Sequence, residues 1–327
     1  MPKQSPASLV TVIIPSYNTG STIGRTIDSI LATGYPYLQL IIVDDGSKDD
    51  SLEVIQRYAA QNEWIEFYTH PGGRNKGIAA TRNLAISHAR GEYVAFVDAD
   101  DTFLPNRFNV CIPKMEADPS INVIYEPYRL VHVSGSRSED MKAGQTESII
   151  NECSDEELFM RVLRGSGMPH TTSVTIRRTA LLDTELFPPL KYCLEKPLWL
   201  KLYCRGGVRP GAAEPVACYY LHDNSTCARH EDTRAFRFED VMAYLNVYRW
   251  MNQRNIRGKM QEAVRSLMLG KYMHYTSYAR SLRGRFFSDI VCAPFSVLRV
   301  YPSAGLNPKF WWATARMLMG ATNKAHV

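Results

Sequence analysis

The chain has 327 residues, of which 45% are hydrophobic and 22% charged, an ordinary globular composition with enough apolar material for a large core. The formal net charge of +5, from 38 Lys and Arg against 33 Asp and Glu, is too small an excess to indicate a nucleic-acid-binding protein. The seven cysteines show no CxxC spacing, and no apolar run approaches the ~20 residues of a membrane-spanning helix. The first ten residues lack the apolar core of a signal peptide, so we expect a cytoplasmic protein with reduced thiols.

Strands and helices alternate through the first hundred residues. Apolar runs predict strands over 9–14, 38–43, 64–70 and 92–97, and apolar residues at helical spacing predict helices over 21–33, 50–60 and 78–90. Alternation at this spacing indicates βαβ units. We therefore predict an α/β fold with a mostly parallel sheet flanked by helices.

The pattern after residue 104 is less regular. It predicts strand-rich sequence over 121–133, a helix with a Ser154–Glu157 capping box over 154–165, strands over 172–178 and 216–222, and a helix over 194–205. Helical sequence then runs from about 233 through 283. We predict one domain over residues 1–232 and a helical C-terminal region over residues 233–327.

Polar side chains follow three of the predicted parallel strands. Tyr17 and Asn18 follow the first strand, Asp44 and Asp45 end the second, and residues 98–101 carry three aspartates after the fourth. In open sheets of this kind ligands bind beyond the carboxyl ends of the strands. The sequence therefore predicts one nucleotide-sized site lined by all three strand ends.

The densest of these groups consists of Asp98, Asp100 and Asp101. Two carboxylates that flank a single residue can bind a divalent cation, whose charge cancels their repulsion, and Mg²⁺ or Mn²⁺ would be shared with substrate phosphates. The alternative is a solvated acidic turn in which Asp101 caps a helix. The second acidic pair, at a neighbouring strand end, favours the cation site.

The remaining polar groups each have a structural alternative. A carboxylate at Asp44 or Asp45 can accept a hydrogen bond from a base or a ribose, although Asp-Gly-Ser is also turn sequence. Tyr17 can stack on a base or cover the core. Lys76 and Arg82 lie in and after a Gly-rich basic stretch suited to phosphate contact, for which surface solvation is the alternative.

Three runs carry a resemblance to a known family: TVIIPSYN, IIVDDGSKDDS and NKGIAATRNLAISHARGEYVAFVDADD. They resemble the N-terminal half of the family 2 glycosyltransferases, which have the GT-A nucleotide-sugar-binding fold, and a weaker similarity continues to about residue 230. The resemblance extends to bacterial enzymes that assemble exopolysaccharides of the succinoglycan type. It implies a metal-dependent, inverting transfer of a hexose such as glucose from a UDP-sugar.

The resemblance also implies roles for individual residues. Asp98-Ala99-Asp100 is similar to the DXD motif, which holds Mn²⁺ or Mg²⁺ against the UDP diphosphate. Asp45 would contact the uracil, with Asp44 in support. The implied nucleotide-sugar site comprises Pro15, Tyr17, Asn18, Asp44, Asp45, Lys76, Arg82, Asp98 and Ala99.

Two later elements depart from the family pattern. The family commonly has a Glu-Asp pair before a Leu-Trp helix, with the Asp as catalytic base; here Glu195 takes the base position and Leu194 precedes it. The alternative for Glu195 is a surface residue that caps the helix. The run YYLHDNS is similar to a Tyr-Arg-x-His-x-x-Ser element with Tyr220 in the Arg position, which makes His222 a candidate metal ligand or a structural histidine.

The C-terminal region is basic and aromatic. From Arg257 onward eleven Lys and Arg stand against Glu262 and Asp289, and the segments 286–301 and 309–320 combine Trp, Phe and Met with basic residues. Such segments favour a membrane interface, and packing on the catalytic domain is the alternative. If these segments lie at a membrane interface, the expected partners are a lipid-linked oligosaccharide acceptor and the cytoplasmic face of an inner membrane.

Two other functions use a similar fold. A nucleotidyltransferase would make the activated sugar, but such enzymes carry a Gly-rich N-terminal loop with an early basic residue, unlike PSYNTGST. A nucleotide-sugar-binding scaffold without transfer activity is the other alternative, since the Asp that serves as the family's base is missing here. Release of UDP or of pyrophosphate distinguishes the two enzymes.

Overall fold

The computed structural model describes residues 8–133, 153–166, 168–222 and 234–281. Its contacts divide the chain into two compact units. The first unit comprises Met1–Lys191 and Leu198–Arg229, and the second comprises Tyr192–Pro197 and His230–Val327. The aromatic segments 286–301 and 309–320 lie outside the described residues.

The first unit opens with the alternating elements that the sequence predicts. The strands are β1 (Val10–Ser16), β2 (Leu38–Asp44), β3 (Ile65–Thr69) and β4 (Tyr93–Phe96), and the helices between them are α1 (Gly20–Leu31), α2 (Ser51–Gln61) and α3 (Ile78–His88). Their ends differ from the predicted ones by at most two residues.

The later elements are shorter. They are β5 (Thr102–Phe103), α4 (Cys111–Ala117), β6 (Val123–Tyr125), β7 (Arg129–His132), α5 (Asp155–Leu163), β8 (Val174–Arg177), α6 (Arg178–Leu182), α7 (Glu195–Arg205), β9 (Val208–Pro210) and β10 (Ala217–Leu221). The strand-rich stretch 121–133 is two strands, β6 and β7, that belong to different sheets. Pro127 lies between them and has no N–H with which to continue a strand ladder.

A seven-stranded sheet in the order β3-β2-β1-β4-β8-β6-β9 forms the centre of the first unit. Only β8 is antiparallel to its neighbours, β4 and β6, and the other pairs are parallel. A second sheet pairs β10 antiparallel to β5 and parallel to β7. The predicted α/β architecture with a mostly parallel sheet is therefore confirmed.

The core explains why the three strands at the site are rigid. Both faces of β1, β2 and β4 are covered, and inward residues such as Val12 and Leu40 pack against one face of α1, on which Ile23 and Ile27 are fully buried. Burial of each such side chain contributes about 1.5–3 kcal/mol. The polar residues at the strand ends thus project from elements that are fixed by packing.

The described part of the second unit is helical, as predicted for the C-terminal region. In it α8 (Arg234–Gln253) and α9 (Lys259–Ser281) pack against each other, with Val247 and Met251 of α8 and Val264 and Met268 of α9 fully buried. Within the described part of the chain, no helix is both long enough and apolar enough to cross a membrane.

Candidate functional site at the carboxyl edge of the sheet

The carboxyl ends of β1, β2 and β4 meet at one edge of the sheet. The parallel register sets Ser16 beside Asp44 and Ile13 beside Phe96, so Tyr17, Asp45 and the acidic turn after β4 all follow at this edge. Pro15 lies within β1 in register with Val43. The structure therefore brings together the three strand ends that the sequence singled out.

The loop after β1 is held to the loop after β2 by Asn18. The backbone N–H of Asn18 donates to Ser47 Oγ at 2.9 Å, and its side-chain Oδ1 accepts from the Lys48 N–H at 2.8 Å. Asn18 has a φ of 54°, a left-handed conformation that asparagine tolerates better than most residues. The ring of Tyr17, next to this fixed residue, is 48% exposed. An exposed aromatic ring on a fixed loop can stack on a base.

The two aspartates at the end of β2 are both buried, but they are bonded differently. Asp44 accepts the N–H groups of Gly46 and Ser47 on one oxygen, Oδ2, at 3.0 Å each, and its Oδ1 accepts the Ser47 hydroxyl. Asp45 divides its donors: Oδ1 accepts from the Lys76 N–H at 2.6 Å and Oδ2 from the Gly77 N–H at 2.9 Å. Asp44 thus shapes its own turn, whereas Asp45 ties β2 to the start of α3.

The turn at Gly46 allows the two loops to approach. Gly46 has a φ of 78°, and a Cβ added there would lie 2.6 Å from the carbonyl oxygen of Gly73. A side chain at this position would therefore push the 73–77 loop away. Asp45 has a further neighbour in buried His70, whose Nε2 lies 3.5 Å from Asp45 Oδ1 and 3.1 Å from the hydroxyl of Thr81.

The two basic residues predicted to contact the nucleotide sugar have different surroundings. The side chain of Lys76 is exposed. Arg82 is only 1% exposed, and its Nη2 donates to Asp98 Oδ1 at 2.8 Å, with the guanidinium 5.3 Å from the centre of the Phe187 ring. The structure thus places Arg82 against the first Asp of the predicted DXD motif rather than on the surface.

The acidic turn after β4 contains carboxylates in different states of burial. The side chains of Asp98 and Asp100 are 32% and 30% exposed, and Asp100 Oδ2 lies 2.9 Å from His222 Nε2. Burial, and next the charge of Asp98, raise the pKa of Asp100. Asp100 and His222, far apart in sequence, are therefore neighbours.

Asp101 has an internal role. It is fully buried and accepts hydrogen bonds from the Thr172 hydroxyl at 2.9 Å and the Tyr220 N–H at 3.0 Å. Burial, followed by the charges of Asp98 and Asp100, raises the pKa of Asp101 well above its usual range. The alternative in which Asp101 caps a following helix is wrong, because its carboxylate joins the turn to the second sheet and β5 follows it.

A hard divalent cation suits these donors. Carboxylates at Asp98 and Asp100 are ligands that suit Mn²⁺ and Mg²⁺, whereas the imidazole of His222 is a ligand type that suits other transition metals better than Mg²⁺. A cation would also offset the charge of Asp98, which adds to burial in raising the pKa of Asp100. Among the residues that the structure describes, no three His, Cys, Asp or Glu side chains form a ready-made metal cluster. Mg²⁺ sites built from one or two carboxylates and substrate phosphates need no such cluster.

Two residues of α1 that the sequence did not single out support the acidic turn. Arg25 Nη2 donates to the carbonyl oxygen of Asp100 at 2.6 Å, and its guanidinium lies 3.9 Å from the centre of the Tyr220 ring. The Thr26 hydroxyl lies within hydrogen-bonding distance of the carbonyl oxygens of Ala99, at 3.0 Å, and Asp101, at 2.7 Å. Neither residue belongs to a recognisable motif, so only their proximity in the fold reveals the role.

The predicted base, Glu195, is the first residue of α7 and is partly buried. It belongs to the short segment Tyr192–Pro197, which the contacts group with the C-terminal helices rather than with the sheet. The residues before it, Cys193 and Leu194, are buried. The predicted base therefore lies in the same unit as the C-terminal helices, and the domain division at residue 232 stays a prediction.

Comparison with known proteins identifies the family. The sequence profile of glycosyl transferase family 2 matches residues 11–183. A Bacillus subtilis protein described as the putative teichuronic acid biosynthesis glycosyltransferase TuaG is 42% identical over 217 residues, which cover 66% of this chain and 81% of the relative. Chondroitin synthase of Pasteurella multocida is 34% identical over 128 residues, 39% of this chain, and the matched part is only 13% of that protein's length.

Solved structures share the fold. A crystal structure of Staphylococcus aureus TarS residues 1–349 in complex with UDP-GlcNAc has a TM-score of 0.66 at 17% identity and covers 96% of this chain and 89% of its own. The mannosyltransferase PcManGT from Pyrobaculum calidifontis, in complex with GDP-Man and Mn²⁺, has a TM-score of 0.52 at 17% identity and covers 98% and 88%. This structural match agrees with the sequence profile. Because the profile spans more than half of the chain and includes all three strand ends of the site, this protein is a member of glycosyl transferase family 2.

Proposed function

We propose that this protein transfers a sugar from a UDP-sugar to an acceptor hydroxyl with inversion at the anomeric carbon. The observation that carries the proposal is the meeting of three polar strand ends at one edge of the sheet, with the Asp100 carboxylate 2.9 Å from His222. Family membership supplies the reaction class. The UDP-GlcNAc in the TarS structure supports a uridine nucleotide as donor carrier.

The nucleotide would lie on the loops after β1 and β2. We assign the exposed ring of Tyr17 to stacking on the base, with Pro15 and Asn18 fixing the loop that carries it. Asp45 would accept a hydrogen bond from the uracil through a lone pair that its two backbone donors leave available, since a carboxylate has about four such sites. Asp44 holds the turn, and Lys76 would reach the phosphates.

The diphosphate would lie against the acidic turn. Asp98 and Asp100, with His222, would hold Mn²⁺ or Mg²⁺ together with the diphosphate oxygens, and the ion would stabilise the negative charge that develops on the leaving UDP. Ala99 lies between the two aspartates in the sequence, and its backbone would lie close to the same phosphates. Arg82 orients Asp98 from the buried side.

Glu195 is proposed as the general base. Its carboxylate would remove the proton from the acceptor hydroxyl as that oxygen attacks the anomeric carbon from the face opposite to UDP. Such proton transfer contributes about 10²–10⁴-fold to the rate. Holding the donor and the acceptor side by side supplies much of the remainder.

The test is UDP release from a panel of nucleotide sugars, with UDP-glucose first, in the presence and absence of Mn²⁺. We expect Mn²⁺-dependent release of UDP and no pyrophosphate; release of pyrophosphate would instead indicate a nucleotidyltransferase. Binding of UDP-sugars without any turnover would indicate a scaffold. Full transfer by an Asp100→Ala protein in Mn²⁺ would show that the metal assignment is wrong.

The role of Glu195 is tested separately. A Glu195→Gln protein keeps the shape of the side chain but cannot accept the proton, so turnover should be lost while UDP affinity stays within about twofold. Loss of turnover and UDP affinity together would assign Glu195 a structural role.

The acceptor is proposed to be a lipid-linked oligosaccharide of a surface polysaccharide. Assignments to teichuronic acid biosynthesis for TuaG and to chondroitin synthesis for the Pasteurella protein support polysaccharide assembly. Residues 234–281 contain nine Lys and Arg against three Asp and Glu, which favours an anionic membrane surface. Flotation with anionic liposomes tests this: a 1–284 truncation should bind more weakly than the full chain, and equal binding would remove the role of the aromatic segments.

A further inference from the structure

The segment that carries Glu195 is bonded to α8 through its backbone. Glu239 Oε2 accepts the backbone N–H of Tyr192 at 2.6 Å and that of Cys193 at 3.3 Å. These two residues precede α7, so the contacts are not part of a helix or a sheet. One carboxylate of α8 therefore fixes the chain two and three residues before Glu195.

The residue after Glu195 is bonded to the same helix. Lys196 Nζ donates to Asp240 Oδ1 at 2.5 Å and lies 5.1 Å from the centre of the Tyr244 ring. Lys271 of α9 forms an ion pair with the other oxygen, Oδ2, at 2.8 Å. Asp240 is only 4% exposed and the Lys196 side chain 15%, so this pair is shielded from solvent, whereas the Lys271 side chain is 44% exposed. Two consecutive acidic residues of α8 thus hold the chain on both sides of Glu195.

We propose that Glu239 and Asp240 are positioning residues that fix the carboxylate of Glu195 for catalysis. This inference rests on the proposed role of Glu195 as base. The C-terminal helices would then contribute to turnover itself, in addition to any contact that they make with a membrane.

Energetics favour this role over incidental packing. Burying Asp240 and Lys196 costs desolvation energy that an apolar pair of similar volume would avoid, so the ion pair is a poor device for stability alone. It is well suited to fixing orientation, because a displacement of about 1 Å at a catalytic group can cost about 10²-fold in rate. Glu239 adds two backbone bonds in a stretch that has no regular structure of its own.

The experiment compares substitutions at Glu239 with one matched control in the full-length chain. Glu239→Ala removes the acceptor, Glu239→Gln keeps an acceptor oxygen but removes the charge, and Glu262→Gln removes the same charge from an exposed site in the first turn of α9. The readouts are amide hydrogen exchange of Tyr192 and Cys193, affinity for UDP with Mn²⁺, and UDP release from UDP-glucose or from another panel sugar that gives turnover.

For Glu239→Ala we expect at least tenfold faster exchange at the two amides and a fall in kcat of about 10–100-fold, the scale that misplacement of a catalytic group produces. The KM for the donor and the UDP affinity should stay within about twofold, because the donor loops do not change. Glu239→Gln should lie between Glu239→Ala and the natural chain, and Glu262→Gln should match the natural chain.

Three results would overturn the inference. Faster exchange with unchanged kcat in Glu239→Ala would show that Glu239 fixes the segment but that this has no effect on catalysis. The proposed function would still stand in that case if Glu195→Gln is inactive. Unchanged exchange in Glu239→Ala would show that the Glu239 carboxylate does not fix the backbone at Tyr192 and Cys193. Full activity of Glu195→Gln would refute the base assignment, and this positioning role with it, and that result is obtained without any change at Glu239.

Discussion

The adjacent aspartates at the end of β2 should respond differently to the same substitution by asparagine. In Asp44 both backbone N–H groups donate to one oxygen, so the single oxygen of an asparagine can accept both. The amide NH₂ then faces the Ser47 hydroxyl, which can rotate to accept instead of donate. In Asp45 the two N–H groups donate to different oxygens, so an asparagine amide must oppose the N–H of Lys76 or Gly77 with an N–H of its own.

The magnitude follows from that count. Asp45→Asn loses one charge-assisted hydrogen bond and leaves one part-buried backbone N–H facing another donor, which costs about 2–3 kcal/mol. Asp44→Asn loses no acceptor for a backbone donor and should cost less than about 1 kcal/mol. At about 2.1 cal/mol/K per residue, the unfolding entropy of a chain of 327 residues is about 0.7 kcal/mol/K, so a difference of about 2 kcal/mol corresponds to about 3 °C in Tm.

The assay is thermal unfolding of the two variants and the natural chain, together with calorimetric titration of UDP. Asp45 ties β2 to the start of α3 beside the proposed site for the uracil ring. Asp45→Asn should therefore also weaken UDP binding by about tenfold, equivalent to about 1.4 kcal/mol. Equal melting temperatures for Asp44→Asn and Asp45→Asn would refute the reasoning. A larger fall in melting temperature for Asp44→Asn than for Asp45→Asn would refute it more strongly.

Three further substitutions probe other parts of the chain. Arg25→Met removes an exposed cation from the acidic turn and should weaken UDP affinity about 3–10-fold at low salt, with a smaller effect at 0.5 M salt; an effect independent of salt would contradict an electrostatic role. Glu126→Gln should cost about 3–5 kcal/mol in denaturant unfolding, because it leaves the fully buried Arg107 charge without its carboxylate, whereas Glu92→Gln, from a half-exposed ion pair, should cost less than about 1 kcal/mol; equal losses would contradict this. For Asp240, burial alone would raise the pKa, but its two lysine partners lower it, so its stabilising contribution is present above the ordinary carboxyl pKa of 3.8 and is lost as the pH falls through the lowered value. The difference in unfolding free energy between the natural chain and Asp240→Asn should therefore shrink below about pH 4, and a difference that does not change with pH would be contrary to this.

The parallel half of the sheet could be predicted from the sequence because its signals are local. Each strand is a short apolar run that ends in a polar or turn residue, and each helix has apolar residues at helical spacing, so element type and order are present within windows of about 15 residues. The meeting of the three strand ends also follows from the sequence, because parallel strands in one sheet bring their carboxyl ends to the same edge.

The second half of the fold depends on contacts that local pattern does not contain. Thr172 and the N–H of Tyr220 reach Asp101 only because β8 lies beside β4 and β10 pairs with β5. The different hydrogen-bonding of Asp44 and Asp45 likewise depends on the approach of the loop after β3. Sequence spacing could identify these residues as polar and close to a turn, but it could not show which oxygen accepts which donor.

Residue 220 shows how the chain can depart from a motif without losing the charge at that place. The family motif has an arginine at this position, and this chain has a tyrosine. Judged from the motif alone, the change removes a cation beside the acidic turn. In the fold, the guanidinium of Arg25 lies 3.9 Å from the centre of the Tyr220 ring and donates to the carbonyl oxygen of Asp100. A positive charge is therefore still present at the turn, supplied by α1 and supported by the face of the tyrosine ring. This charge belongs to an exposed side chain on another element, so the motif cannot show how much the site depends on it. The UDP affinity of Arg25→Met at low and high salt measures that dependence.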